Sequence, residues 1–568
     1  MKKNNSTYQL LRKVLSGMFL FLLVSSCNES VLDETPADFI STSNAFNSPS
    51  DVELGVVGLY AFNRTWFSAT EEEYAFCLVA VGTDVAYEGE DPAGGAMGNW
   101  STQVTPTSGY PKSVWEKSYD LIQQCNVILK GIENVKWADE NKKNSYISET
   151  KFFRAFNYRI LVTLFGGVPL QTEPVSSAKT DFVRSSKEDI YALIESDLAF
   201  ATANLPKRGA EAAAGRATQG AAWHLLSEIF LMQKKYQLAV DAASHVINEY
   251  GYGLMTQRFG AKLGKDVFKN ENVYFDLFTK ENQNLTSNTE AIWVIQNDPD
   301  ITGGGYYCGE RAYGPAYFRL GNTPDGKKAF LGELYNGAYT GYSDTLSRPV
   351  AWCRPTNYTA YNIWQSDWSN DFRNSEACIK RNFYFDNPAS AYHGKKIEWS
   401  LYNGKRTSPF KDTTQYLYPF FMKVATPLEH YTDLARSGGG VNHKDLYAMR
   451  LAETYLLRAE GYLGLGKTDL AANDINKVRE RSNAKPISAA DVTLDYILDE
   501  RARELYTEEW RMITLMRLGK LVERVRKYND NPGNPGVGIQ DRHNLWPIPQ
   551  TEIDLNTGAV LEQNPDYN

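Results

Sequence analysis

The chain has 568 residues, a formal net charge of −8 at pH 7 and 13% aromatic residues, among them 35 Tyr and 12 Trp. An acidic balance with no Lys/Arg cluster excludes a nucleic-acid partner. The length allows two to four domains, or one large globule with long insertions, and aromatics beyond the needs of a core suit a ligand surface.

Lys2, Lys3, Arg12 and Lys13 precede an apolar run from Val14 to Val24. At about 1.5 Å per residue this run cannot cross a hydrocarbon core of about 30 Å. It reads as the apolar part of a secretory signal covering residues 1–26. Small Ser25 and Ser26 then precede Cys27, and Val-Ser-Ser-Cys resembles a bacterial lipobox. By that resemblance Cys27 becomes the first mature residue and carries lipid on its sulfur and amine. Several acyl chains anchor stably, since each buried CH2 contributes about 0.8 kcal/mol. No later stretch reaches the roughly 18 uncharged apolar residues of a second span. Cys77, Cys125, Cys308, Cys353 and Cys378 remain, an odd number with no C-x-x-C pair. This argues against a zinc site or a disulfide framework, while allowing one bridge.

Residues 28 to about 50 are polar and turn-rich, a tether within an N-terminal helical region that spans 27–250. Its first clear helix starts near Val114, with Trp115, Tyr119, Ile122, Val127 and Leu129 as apolar contacts and Gly131 as its expected end. In "KFFRAFNYRILVTLFGGVPL", Phe153, Phe156, Ile160 and Leu164 fall on one face, and Gly166, Gly167 and Pro169 stop the helix. A helical hairpin follows. Ala222, Leu225, Ile229 and Met232 share a face, Gln233–Lys235 breaks it, and Tyr236, Ala239, Ala243, Val246 and Tyr250 resume before Gly251. From 251 to 435 helical periodicity fades into a Gly-, Asn-, Tyr- and Trp-rich lobe, with "EAIWVIQND" as its one clear strand. Helices return in 436–568. Met449, Ala452, Leu456, Ala459 and Leu463 form one arm, Gly466 breaks it, Thr468 or Asp469 caps the next, and Ala471, Ile475 and Val478 continue. A third segment, "LDYILDERARELYTEEWRMITLMRLGKL", alternates carboxylates and arginines around Leu505, Trp510, Leu515 and Leu518, and in the closing "LWPIPQTEIDLNTGAVLEQNPDYN" Pro547 and Pro549 forbid a continuous helix. Paired helices of this length resemble tetratricopeptide units.

The Cys27 motif, "RAFNYRILVTLFGGVPL", "LAETYLLRAEGYLGLGKTDLAANDINKVRERS", "ERARELYTEEWRMITLMRLGK" and "LWPIPQTEI…QNPDYN" together resemble the SusD/RagB family over nearly the whole chain. The resemblance implies a mainly α fold in which tetratricopeptide-like hairpins cradle a variable, loop-rich lobe. It implies a lipid-anchored, non-catalytic protein on the outer face of the outer membrane. Such a protein docks on a SusC-like TonB-dependent barrel and delivers oligosaccharide to it. RagB-type relatives serve peptide uptake, so the substrate class stays open.

"ERARELYTEEWR" offers Glu508 with Glu504 or Glu500 as an acid/base pair, or a helix laced with Glu–Arg pairs. Arg501, Arg503 and Arg511 favour the second, because cations depress a carboxylate pKa that acid catalysis needs raised. A surface glycoside hydrolase would need two carboxylates about 5–9 Å apart across a cleft. His224 and His245 lack a third ligand at metal spacing. The metalloprotease, nucleophile-elbow and P-loop motifs are absent, so no metal and no cofactor is expected, and Gly303-Gly304-Gly305 reads as a flexible loop. Flat aromatic faces pack on the C–H face of a sugar, while Asn and Arg read its hydroxyls. Trp100 with Asn99 lies where starch-binding family members place a site Trp. Tyr306, Tyr307, Tyr313 and Tyr317 flank Arg311, where the family also places ligand aromatics. Trp352, Tyr358, Tyr361, Trp364 and Trp368 form a further cluster. Each of these rings competes with an ordinary place in the core.

Overall fold

Ser48 opens the first helix, α1 (Pro49–Arg64), with a capping box: its side chain accepts from Asp51 N–H while the Asp51 carboxylate accepts from Ser48 N–H. The structure, a computed structural model, describes residues 45–68, 78–402, 411–429 and 441–567. The expected lipid-anchor residue Cys27 and the thiol of Cys77 lie outside them. Short β1 (Ala86–Tyr87) and one-turn α2 (Trp100–Gln103) lead to two 26-residue helices, α3 (Gly109–Asn134) and α4 (Glu140–Phe165).

Helix α3 runs through Gly131 rather than ending there. The glycine serves packing: a Cβ at that position would collide with the ring of Phe46. Helix α4 departs further from expectation. From Phe152 to Phe165 every residue is buried, so it is a central helix rather than a one-sided one. Its polar residues are matched internally. Arg154 forks onto Asp197 at 2.8 and 2.9 Å, and Arg159 pairs with Glu228 at 2.8 Å. Gly166 ends α4 at φ +78°, a conformation that costs glycine little.

Helix α5 (Lys187–Asn204), the hairpin α6 (Gln219–Met232) and α7 (Tyr236–Glu249), and the hairpin α11 (Leu451–Gly464) and α12 (Thr468–Arg481) stack in one row. The row is continuous although some 200 residues separate α7 from α11 in sequence, because Gly461 and Gly464 let Val240 and Tyr236 of α7 approach closely. The break at Gln233–Lys235 and the turn at Gly466 stand where the pattern put them. The cap does not: α12 begins at Thr468 after Lys467, and no side chain caps it.

Between α7 and α11 lie short elements: α8 (Val273–Leu277), β2 (Ala291–Ile295), α9 (Gly309–Tyr313), the hairpin β3 (Leu334–Tyr335) and β4 (Ala338–Tyr339), β5 (Arg354–Pro355), α10 (Asn357–Ala360), β6 (Ile379–Lys380), β7 (Phe420–Phe421) and β8 (Leu446–Arg450). The pairs β1–β5, β2–β8, β3–β4 and β6–β7 are antiparallel. Strand β2 carries Trp293 into the main core, where Phe67, Phe152 and Phe156 meet its ring edge-to-face at 5.9, 5.2 and 5.8 Å. Tyr317, Leu320, Phe330, Tyr342, Phe383 and Phe385 build a smaller core of the lobe's own.

The third helical segment is broken. Helix α13 (Leu494–Leu505) and α14 (Arg511–Arg517) are separated by a turn holding Thr507 at φ +75°. Glu500, Glu504 and Glu509 are buried, and the first two pair across elements. Glu504 takes Arg373 at 2.9 Å, Arg450 at 2.5 Å, and Arg481; Glu500 takes Arg373 at 2.7 Å and Arg479 at 2.8 Å. Burial alone would raise the Glu504 pKa, but Arg481, Arg450 and Arg373 hold it at about 2. This cluster fastens the lobe (Arg373), β8 (Arg450), α12 (Arg481) and α13 to one another. Helices α15 (Leu521–Tyr528) and α16 (Gln550–Leu555) complete the chain.

Candidate ligand-binding surface

Three chain segments are laced together by main-chain hydrogen bonds. Strand β5 pairs with β1, and Gly89 N–H donates to Ala351 O at 3.1 Å. On its other side Cys353 N–H donates to Ala312 O at 2.8 Å, and Val350 N–H to Arg311 O at 2.8 Å. Helix α9 is thereby fixed against the 350–355 segment. Half-buried Trp352 lies beneath the half-buried Arg311 guanidinium, whose carbon is 5.2 Å from the ring centroid. The Arg311 Nε is buried and has no hydrogen-bond partner among the described residues. Tyr306, 40% exposed, stands just before α9. At the rim, exposed Glu90 pairs with Arg319 at 3.1 Å. Behind it Glu88 is buried, accepts from Glu90 N–H at 3.1 Å and from Asp91 N–H, and burial pushes its carboxyl up to about 8. Arg354 clamps the strand pair from below, stacked over Tyr87 at 5.0 Å and donating to Thr413 O at 2.9 Å.

Of the expected site residues, this surface contains Arg311, while Tyr306 is exposed in the segment that leads into α9. The others are placed differently. Trp100 is fully buried, donates its indole N–H to Gly82 O at 3.0 Å and lies 5.4 Å from the His543 ring, so neither face is open to a sugar. Asn99 is the N-cap of α2, its Oδ1 accepting from Ser101 N–H at 3.1 Å. Tyr307 is buried on a main-chain bridge to Asn442, and Tyr313 meets Tyr506 edge-on at 5.8 Å in the core. Tyr317 centres the lobe's small core, donating to Ser347 O at 3.0 Å. These four rings are packing residues. In a loop-rich segment no period distinguishes inward from outward positions, so the sequence assigned all of them alike.

The second cluster also divides. Tyr358 and Trp364 are buried, whereas Trp368 is 42% exposed. Sequence reasoning missed Arg381, which stacks on Trp368; cation beside aromatic in space leaves no spacing to read. His224 is buried on Thr454 at 2.8 Å, and His245 stacks on Trp223 at 4.2 Å. Among the described residues no group of His, Cys, Asp and Glu is arranged to hold a metal ion, and Cys125, Cys308, Cys353 and Cys378 are buried free thiols. No described helix is long and apolar enough to cross a membrane.

The model of the SusD family matches residues 270–567, over half of the chain. The chain belongs to the SusD family. A second family model, described as starch-binding associating with outer membrane, matches residues 57–231. SusD-like protein P25 of Formosa agariphila is 25% identical to this SusD-family chain over 594 residues, covering 98% of it and 99% of the relative. The starch-binding protein SusD of Bacteroides thetaiotaomicron is 26% identical over 527 residues, covering 90% of this chain and 86% of its own. Among solved structures, a laminarin-binding SusD-like protein has a TM-score of 0.67 at 24% identity, covering 92% of this chain and all of that one. Surface glycan-binding protein A of Bacteroides thetaiotaomicron, solved with laminarihexaose, has a TM-score of 0.67 at 19% identity and covers 91% of this chain and all of its own. These two likenesses establish the mainly helical SusD fold.

Proposed function

We propose that the chain is a glycan-binding lipoprotein of the outer-membrane surface that hands oligosaccharide to a SusC-like TonB-dependent barrel. One observation carries the reading within the family: half-buried Trp352 is held beneath the Arg311 guanidinium on a lattice of three main-chain segments. A ring fixed in this way presents an apolar plane without losing further entropy on binding, and a half-buried guanidinium over it adds planar donors of the kind that read sugar hydroxyls. Starch, laminarin and laminarihexaose, named for the relatives, give the ligand class. The carboxylates 500, 504 and 508 are tied to arginines, which supports binding without hydrolysis. Lipid on Cys27 supplies the anchor.

Calorimetry against malto-, laminari- and other oligosaccharides tests this. We expect micromolar to millimolar binding of one class, lost in Trp352→Ala and weakened in Arg311→Ala with the melting temperature kept. Binding of peptides and of no glycan would overturn it in favour of peptide uptake. For the anchor, Cys27→Ala is expected to move the protein from the membrane fraction to the soluble one in cells lacking the barrel.

A further inference from the structure

Trp368 stands out among the exposed aromatics because its surroundings are rigid. The segment bearing it is pinned on both sides. Trp364 is buried and donates to Thr359 O at 2.9 Å, the Ile363 carbonyl accepts from Arg503 at 2.7 Å, Asp367 faces Arg479 at 3.6 Å, and Phe372 N–H donates to Ser482 O at 2.8 Å. The main-chain carbonyl of Trp368 itself accepts from Asn374 Nδ2 at 2.7 Å. Behind the ring lies the Arg381 guanidinium, its carbon 4.8 Å from the Trp368 centroid and 5.9 Å from that of Tyr361. Arg381 is itself held, donating to Ala360 O at 2.9 Å and to Asn374 Oδ1 at 2.6 Å. The nearby Glu376 carboxylate is engaged with Asn382 at 3.3 Å. A ring left 42% in water, yet backed by a cation with its own fixed partners, adds nothing to the core. Such an arrangement resembles a prepared stacking plane more than a stray surface residue. The plane follows the first surface along the chain, since β5, which has Trp352 just before it, runs directly into α10, whose Ala360 carbonyl takes Arg381 at 2.9 Å.

We propose that Trp368, backed by Arg381 and flanked by Tyr361, is a second saccharide-stacking plane that takes a pyranose ring of a glycan longer than the Trp352 surface alone can hold. This rests on the glycan-binding reading above. Two planes on one rigid body act on one ligand as linked sites, so affinity grows with chain length.

The test is affinity electrophoresis in gels containing starch, laminarin, xylan or pectin, with calorimetry using the trimer and the octamer of whichever polysaccharide retards the wild type. Trp368→Ala is expected to weaken octamer binding about tenfold, to leave trimer binding unchanged and to keep the melting temperature, with Trp368→Phe recovering part of the loss. Equal octamer affinity in wild type and Trp368→Ala overturns this proposal and leaves the glycan-binding reading intact. A wild type retarded by no polysaccharide overturns both. A fall in melting temperature with unchanged octamer affinity marks Trp368 as a packing residue and overturns the second plane.

Discussion

At the scale of single residues, depth separates side chains that the sequence presents as equals. Trp100 and Trp352 both sit in stretches with no helical period, yet one is sealed and the other half-buried. Trp100→Ala is therefore expected to cost about 3–5 kcal/mol of stability, seen as a lower denaturant midpoint, with glycan affinity kept in the folded fraction. Glu504 makes a second case. Its folded pKa is held near 2 against an ordinary 4.5, so its ion pairs stabilise the fold above about pH 4.5 and lose that contribution as the pH falls toward 2. Glu504→Gln leaves three arginines short of a counter-charge and is expected to cost about 3–5 kcal/mol at pH 7. Urea titrations at pH 7 and pH 3 check the sign: the gap to wild type narrows at the lower pH.

At the scale of elements, glycine has two separate uses here. Gly466 and Gly251 stand at turns with positive φ, as helix-end reasoning expects. Gly131 and Gly464 lie inside helices, where their role is the approach of Phe46 and Tyr236. Gly131→Ala should gain about 1 kcal/mol in helix propensity and lose more, about 1–3 kcal/mol, by displacing Phe46. A lower melting temperature is the expected result. The hairpins were legible because Leu225, Ile229, Leu456 and Ile475 repeat with helical period. The strand at Ala291–Ile295 was legible from its short β-branched run, but its partner β8 was not, since pairing across some 150 residues leaves no local mark. Likewise the central position of α4 was hidden: the sequence marks one apolar face through Phe153, Phe156, Ile160 and Leu164, and only the buried partners Asp197, Asn63 and Glu228 of Arg154, Asn157 and Arg159 account for burial of the other side. The site was least legible, because Arg311 over Trp352 and Arg381 behind Trp368 are contacts between loops.

At the scale of the whole molecule, the C-terminal third is bound into every other part. Trp510 packs on Trp66, Phe67 and Phe156, Arg511 and Arg524 grip Asp84 at 2.7 Å, and Asn564 donates to Phe165 O at 2.9 Å. A chain ended at residue 435 is expected to keep helical far-UV dichroism while losing the near-UV signal of its fixed aromatic rings. The row of helices has the same dependence, since α7 meets its neighbour α11 only after the lobe has been made.

The antiparallel union of β2 with β8 bears on the order of events in synthesis. Ile292, Trp293 and Val294 leave the ribosome well before Tyr447 and Met449, and at about 5–20 residues per second the interval is on the order of ten to thirty seconds. Throughout it an apolar, hydrogen-bond-hungry ribbon has no native mate, so this nascent chain calls for a holding factor until its last quarter arrives.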